Sequence, residues 1–208
     1  FTSSKIEEIE EQGQPMKITV PVTRTDSGIF IDVTRTNPQN PLRFDIVPQQ
    51  YETTYLTTDV FYPPFLNTLQ GIDTLRFMDA FGINDDPDVE WSKRTLPTSY
   101  TQVAGCCPNK EPGMAYEYAF DLADKIGTHL WLNIPHLADD NYVQQLAQLA
   151  AQRLRPGQNL YLEYSNELWN GGFSQKEDSE QLAVQAGLLT NVGWPGSVFY
   201  QAYRLAQI

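Results

Sequence analysis

Positive charge and long apolar runs are both scarce in this 208-residue sequence. The chain has 14 Lys and Arg against 26 Asp and Glu, which gives a formal net charge of −12. Such a chain repels polyanions, and no basic run is available to neutralise phosphates, so we expect neither nucleic acid nor an anionic membrane surface as a partner. No apolar stretch approaches the roughly 20 residues that cross a bilayer, so we expect no membrane insertion. A neutral partner fits this composition best.

Targeting information is also missing from the N-terminus. The first residues lack the basic and apolar regions of a signal peptide. The chain begins at Phe1 rather than Met, which indicates a processed or excised chain and leaves a removed targeting segment open.

Only two cysteines are present, and they are adjacent, Cys106 and Cys107. In an oxidising compartment they could form a vicinal disulfide, or each could pair with a cysteine outside these residues; two free thiols in a loop are the third interpretation. No second Cys/His pair stands at zinc-ligand spacing, and the acidic turn at Asp85, Asp86 and Asp88 lacks the spacing of a calcium loop. Glycine-rich phosphate loops, nucleophile elbows and zinc-protease motifs are absent as well. The sequence therefore predicts no metal and no cofactor.

Aromatic residues are abundant, with 11 Tyr, 10 Phe and 4 Trp, which is typical of a folded globular chain. The first 50 or so residues are rich in Thr, Pro and β-branched residues, with strand-like runs at Ile18–Val22 and Ile29–Thr34. From Pro63 onward, short apolar strands alternate with amphipathic helices, which is the pattern of βα units around a parallel sheet. We therefore predict a β-rich segment at residues 1–43 and an α/β domain at residues 44–208.

The α/β part is predicted to be the first half of a (β/α)8 TIM-type barrel. Its predicted strands are Phe44–Val47, 74–78, 130–134 and 160–164. Its predicted helices are Pro64–Leu69, Met114–Ile126, Asp140–Leu154, Glu177–Gly187 and a last one from about Ser197, with Asp139 or Asp140 capping the third. A full barrel needs about 250 residues, and only four of its eight strands are predicted here. We therefore expect this chain to end after the fourth strand.

One motif follows the predicted fourth strand, where barrel enzymes carry catalytic groups. Ser165-Asn166-Glu167, with Trp169 and Asn170 behind it, resembles the Asn-Glu signature of clan A glycoside hydrolases. The resemblance implies that Glu167 is the general acid/base of a retaining mechanism and that Asn166 binds the sugar 2-hydroxyl. It also implies a nucleophile after a seventh strand, beyond this chain.

A closer resemblance covers roughly residues 61 to 190. It rests on the segments Phe61–Leu66, Leu75–Asp79, Trp91–Arg94, Ile134–Asp140 and Glu163–Asn170. These are similar to a group of large secreted bacterial proteins that are labelled cellulose-binding or glycoside-hydrolase-like. The resemblance implies a secreted or cell-surface location, a polysaccharide or oligosaccharide partner, and association with further domains or self-assembly.

Two further catalytic candidates follow predicted strands. Arg76 stands where clan A barrels hold an Arg that supports the nucleophile, and the alternative is an ion pair with Asp79 or another acid. His136 could bind a sugar hydroxyl or hold Glu167, or it could only satisfy loop carbonyls.

Five residues are candidates for substrate binding. Trp91 and Trp169 could stack on pyranose rings, with core packing as the competing explanation. Asp79 and Asn84 could bind sugar hydroxyls, or merely cap turns. Tyr164 would supply apolar surroundings to the Glu167 carboxylate.

Two functional hypotheses remain open at this point. The first is a hydrolase of a β-linked polysaccharide. The second is a non-catalytic carbohydrate-binding protein, or a structural protein of a surface layer or filament.

Overall fold

A computed structural model describes residues 19, 46–54, 60–99, 101–104 and 113–208. The chain divides into two compact units, Phe1–Tyr62 and Pro63–Ile208. In the first unit, Gln49–Tyr51 forms a short 3-10 turn, and the Tyr51 ring meets Tyr62 edge-on with centroids 5.5 Å apart. The strands predicted before residue 46 fall almost entirely outside the described residues, as do Cys106 and Cys107.

A parallel sheet of three strands organises the described part of the second unit. Its strands are β1 (Thr74–Arg76), β2 (His129–Ile134) and β3 (Leu160–Tyr164), in the order β1-β2-β3. The register places Arg76 beside Trp131, and Trp131 beside Tyr161. Because the strands are parallel, their carboxyl ends lie along one edge of the sheet.

Five α-helices accompany these strands in the described residues, and all five were predicted. They are α1 (Pro63–Thr68), α2 (Tyr116–Ile126), α3 (Asp140–Arg153), α4 (Ser174–Gln185) and α5 (Gly196–Leu205). The Asp139 side chain caps α3 by accepting from the Tyr142 backbone N–H at 2.6 Å, as expected for Asp at this position. None of the helices in the described ranges has the length and apolarity of a membrane span.

The two faces of the sheet differ in burial. Leu130, Leu132 and Ile134 are at most 1% exposed, and together we call them the covered face. Helix α2 packs on β2, and α5 packs on β3. Right-handed crossovers between parallel strands in sequential order place successive helices on the same side of a sheet.

Residues between those of the covered face point to the other side. Trp131 is 39% exposed and Tyr161 is 47% exposed. We call Arg76, Trp131, Tyr161 and Glu163 the open face. Alternation along β2 therefore separates a packed side from a side on which Trp131 meets solvent, although Asn133 on that second side is 0% exposed.

The prediction of a (β/α)8 barrel is wrong. The described residues form an open three-stranded sheet, and the outer edges of β1 and β3 have no strand partner within the described ranges. Residues 46 and 47, at the end of the predicted first strand, are not in a strand and belong to the other compact unit. An alternation of strands and helices in the sequence predicts a parallel sheet with crossover helices. This pattern is common to closed barrels and to open sheets. Closure depends on strand number and stagger, which local periodicity does not specify.

Candidate functional site

The chain makes a strained turn at the carboxyl end of β3. The Ser165 N–H donates to the Ile134 carbonyl at 2.8 Å, which extends the pairing of β3 by one residue. Ser165 and Glu167 then adopt left-handed backbone angles, with φ of 57° and 44°. Such angles are unfavourable for residues other than glycine and persist only where the surroundings enforce them. We call residues 165–167 the rim turn.

Three hydrogen bonds enforce the rim turn, one for each of its backbone carbonyls. The Asn133 side chain donates to the Ser165 carbonyl at 2.7 Å. The Gln175 side chain donates to the Asn166 carbonyl at 3.0 Å, and the Asn170 N–H donates to the Glu167 carbonyl at 2.8 Å. Backbone strain that specific contacts maintain is common at functional sites, so the rim turn is a candidate functional site.

Glu167 presents a half-buried carboxylate at this edge. Its Oε2 accepts a hydrogen bond from Asn170 Nδ2 at 2.9 Å, and Asn170 Oδ1 accepts from the Gly172 N–H at 2.9 Å. The second bond holds the Asn170 amide, which in turn orients the carboxylate. Trp169, two residues on, is 63% exposed. The result is an oriented acid with an exposed indole close by in the chain.

Asn166 is buried, and its amide is engaged within the protein. Its Oδ1 accepts from Arg76 Nη2 at 2.9 Å, and its Nδ2 donates to Asn84 Oδ1 at 3.0 Å. The amide expected to bind a sugar hydroxyl therefore links the ends of β1 and β3 in this structure.

Arg76 forms an ion pair with Glu163 rather than with Asp79. Its Nε and Nη2 donate to the two Glu163 carboxylate oxygens at 2.8 to 3.0 Å, a bidentate geometry. Trp131 Nε1 donates to Glu163 Oε2 at 2.8 Å, and the Arg76 guanidinium lies 5.2 Å from the Trp131 ring centroid. Asp79 is exposed, and its backbone carbonyl accepts from the Gly82 N–H. Arg76, Glu163 and Trp131 on the open face are thus connected to one another by hydrogen bonds and a cation–π contact.

The loop after β1 is tied to the start of α4 by amide groups. Gln175 Nε2 donates to Asn84 Oδ1 at 2.8 Å, and Gln175 Oε1 accepts from the Asp85 N–H at 2.7 Å. Asp85 Oδ1 accepts from the Ser174 N–H at 2.5 Å. Asn84, predicted to bind sugar or cap a turn, therefore contributes to a bridge between two loops and a helix.

His136 and Tyr164 are both buried, and each bonds to a partner other than Glu167. His136 Nε2 is 2.9 Å from Asp178 Oδ2 on α4. The Tyr164 hydroxyl donates to the His136 carbonyl at 2.6 Å, and burial raises the pKa of Tyr164 well above its usual range. Tyr164 is 1% exposed, so it contributes to packing beneath this edge. A groove of about 330 Å³ runs past His136 between the start of α3 and α5, lined also by Tyr200 and Arg204.

Trp91 packs into an aromatic cluster. Its ring stacks on Tyr116 with centroids 6.1 Å apart and meets Tyr142 edge-on at 5.1 Å. The Arg94 guanidinium lies over the same indole at 4.0 Å from its centroid and pairs with Glu117 at 2.7 Å. Since these contacts occupy the ring, the geometry favours packing over sugar stacking for Trp91.

Three residues of the site were missed or undervalued by sequence reasoning: Glu163, Asn170 and Gln175. Glu163 and Asn170 stand within the recognised motif, and that proximity was a usable signal. No sequence signal pointed to Gln175, because its three hydrogen-bond partners lie 9 to 91 residues away in the chain. Within the described ranges, no group of three or more His, Cys, Asp or Glu side chains is placed to hold a metal ion.

The chain matches none of the protein family models, curated proteins or solved structures with which it was compared.

Proposed function

We propose that this protein acts on a β-linked polysaccharide as a retaining glycoside hydrolase, with Glu167 as the general acid/base. The observation that carries the proposal is the Glu167 carboxylate, half-buried at the carboxyl edge of a parallel sheet and oriented by Asn170. Ligands of open α/β sheets bind outside the carboxyl ends of the strands, which is where the rim turn lies.

The surroundings of Glu167 suit proton transfer to and from a sugar. A general acid/base must be held in reach of the atom that it protonates, and the bond from Asn170 restricts the carboxylate in this way. The exposed Trp169 indole offers a flat apolar surface on which a pyranose ring can stack. A net charge of −12 disfavours anionic ligands and leaves neutral glycans as suitable ones.

A retaining mechanism also needs a second carboxylate about 5 to 5.5 Å from the first. Glu163 accepts three hydrogen bonds from Arg76 and one from Trp131, so its oxygens are already committed. We therefore assign the nucleophile to no described residue.

The substitution Glu167→Gln tests the proposal, because it keeps the shape of the side chain and removes the transferable proton. We expect it to lower release of reducing ends from soluble β-linked polysaccharides by about 10² to 10⁴-fold. Binding of the same glycan, measured by calorimetry, should be retained. Glu177→Gln, at an exposed position on α4, is the matched control and should leave turnover unchanged. Wild-type turnover in Glu167→Gln would remove Glu167 from the mechanism.

The second candidate is a non-catalytic carbohydrate-binding protein or surface structural protein. It is favoured by the engagement of Glu163, which leaves Glu167 without an assigned catalytic partner. In that case wild-type protein binds glycans without cleaving them, Glu167→Gln has no effect on affinity, and Trp169→Ala weakens binding.

A further inference from the structure

Gln175, in the first turn of α4, uses all of its side-chain hydrogen-bonding groups within the protein. It is 0% exposed. The two Nε2 hydrogens go to Asn84 Oδ1 at 2.8 Å and to the Asn166 carbonyl at 3.0 Å, and Oε1 accepts from the Asp85 N–H at 2.7 Å. A buried amide that is satisfied in this way has one favourable orientation, because rotation would break all three bonds.

The bond to the Asn166 carbonyl acts directly on Glu167. That carbonyl belongs to the peptide unit that precedes Glu167, so holding it fixes one side of the Glu167 φ angle. This angle is 44°, in the left-handed region. Loss of the bond from Gln175 would let the peptide plane rotate toward a more favourable angle and carry the carboxylate away from Asn170.

The bond to Asn84 extends the influence of Gln175 to the open face. Asn84 Oδ1 also accepts from Asn166 Nδ2, and Asn166 Oδ1 accepts from Arg76. Arg76 in turn holds Glu163. A continuous chain of hydrogen bonds therefore runs from α4 to the second carboxylate of the motif.

We propose that Gln175 is a positioning residue that orients both carboxylates of this segment, Glu167 through its backbone and Glu163 through the amide chain. Its effect on catalysis rests on the proposed function, whereas its effect on the two side chains does not. The alternative is that Gln175 only braces α4 against the loop after β1 and alters stability alone.

The substitution Gln175→Met separates these two possibilities, because Met has a similar volume and no amide. The readout is the ¹⁵N–¹H spectrum at a temperature well below unfolding. It follows the Asn170 side-chain amide, which reports its bond to Glu167, and the Arg76 Nε–H, which reports its bond to Glu163. We expect both resonances to shift by more than a line width. Gln181→Met, at an exposed position on the same helix, should leave both in place.

A second variant keeps the test valid if Gln175→Met fails to fold. Asn84→Ala, at a half-buried position, breaks the amide chain and leaves the bond from Gln175 to the Asn166 carbonyl. We expect it to shift the Arg76 resonance and to leave the Asn170 amide nearly unchanged. Folded Gln175→Met with both resonances at wild-type positions would overturn the proposal, as would Asn84→Ala without a shift at Arg76.

Turnover provides an independent check if hydrolysis is detected. Misplacement of a catalytic group by about 1 Å costs about 10²-fold in rate, so Gln175→Met should lower kcat by 10- to 100-fold with KM little changed. Normal turnover in Glu167→Gln would refute the proposed function, but the spectra would still decide the role of Gln175.

Discussion

The covered face lies on β2 and the open face spans all three described strands, and different forces hold the two faces. Leu130, Leu132 and Ile134 exclude water on one side. On the other side, Arg76 and Glu163 are joined by directional bonds and remain partly solvated. Alternate residues of one strand thus face two different environments.

Stability and side-chain geometry come from different parts of this protein. Apolar burial is non-directional and contributes about 25 cal/mol per Å² of apolar surface removed from water. A solvated ion pair contributes little to stability, typically below about 1 kcal/mol, but a bidentate pair fixes the relative position of two side chains. We therefore expect substitutions on the covered face to affect unfolding, and those on the open face to affect orientation at the rim turn.

The largest effect is expected for Leu132→Ala on the covered face. Removing a fully buried Leu side chain leaves a cavity and should lower the free energy of unfolding by about 2 to 5 kcal/mol, measured by urea denaturation. Tyr161→Ala on the open face is the matched control and should cost less, since about half of its side chain already meets solvent. Equal losses from the two substitutions would mean that the open face is packed in solution.

An intermediate effect is expected for Glu163→Gln on the open face. The Arg76–Glu163 pair has side-chain exposures of 35% and 22%, so solvent screens it and the loss of unfolding free energy should stay below about 1 kcal/mol. The Arg76 Nε–H resonance should nevertheless move. Asp121→Asn, which breaks the more exposed Arg153–Asp121 pair, is the stability control. A cost of about 3 to 5 kcal/mol, as for a buried pair, would contradict the distinction between the faces.

The smallest effect is expected for Asp88→Asn, which removes a half-buried carboxylate from the loop after β1, outside both faces. Burial raises the pKa of Asp88 above its usual 3.8. The folded state therefore binds more protons than the unfolded state between 3.8 and the folded pKa, so wild-type stability declines as pH rises through that window.

Asn does not titrate, so Asp88→Asn should gain stability relative to wild type between pH 3 and pH 7. Urea unfolding at the two pH values measures the gain. Glu177→Gln, an exposed carboxylate, should show no such pH-dependent difference. A constant difference at both pH values would show that Asp88 acts through something other than its charge.

Much of the local structure was predictable from the residues. Short apolar runs located the three described strands, and helical spacing located the five described helices. The cap of α3 was narrowed to Asp139 or Asp140, and the structure shows that it is Asp139. The position of Glu167 at the carboxyl edge followed from the strand boundary just before it. Barrel closure could not be read in this way, since it depends on pairings between distant strands.

The contacts of the candidate site were less predictable. Arg76 was expected to support a carboxylate, but its choice of Glu163, 87 residues away, required the register of the sheet. The Asn166 amide looked free to bind ligand until the loop carrying Asn84 was placed against it.

The sequence alone determined which segments form strands and helices, and that an acid stands just after β3, because these depend on neighbours within a few residues. The tertiary structure is needed to establish that the sheet described here is open, which side of β2 is packed, and that Gln175 joins two loops at the rim turn. Those outcomes depend on hydrogen bonds and packing between residues far apart in the chain. A local sequence pattern does not specify which distant residues come into contact.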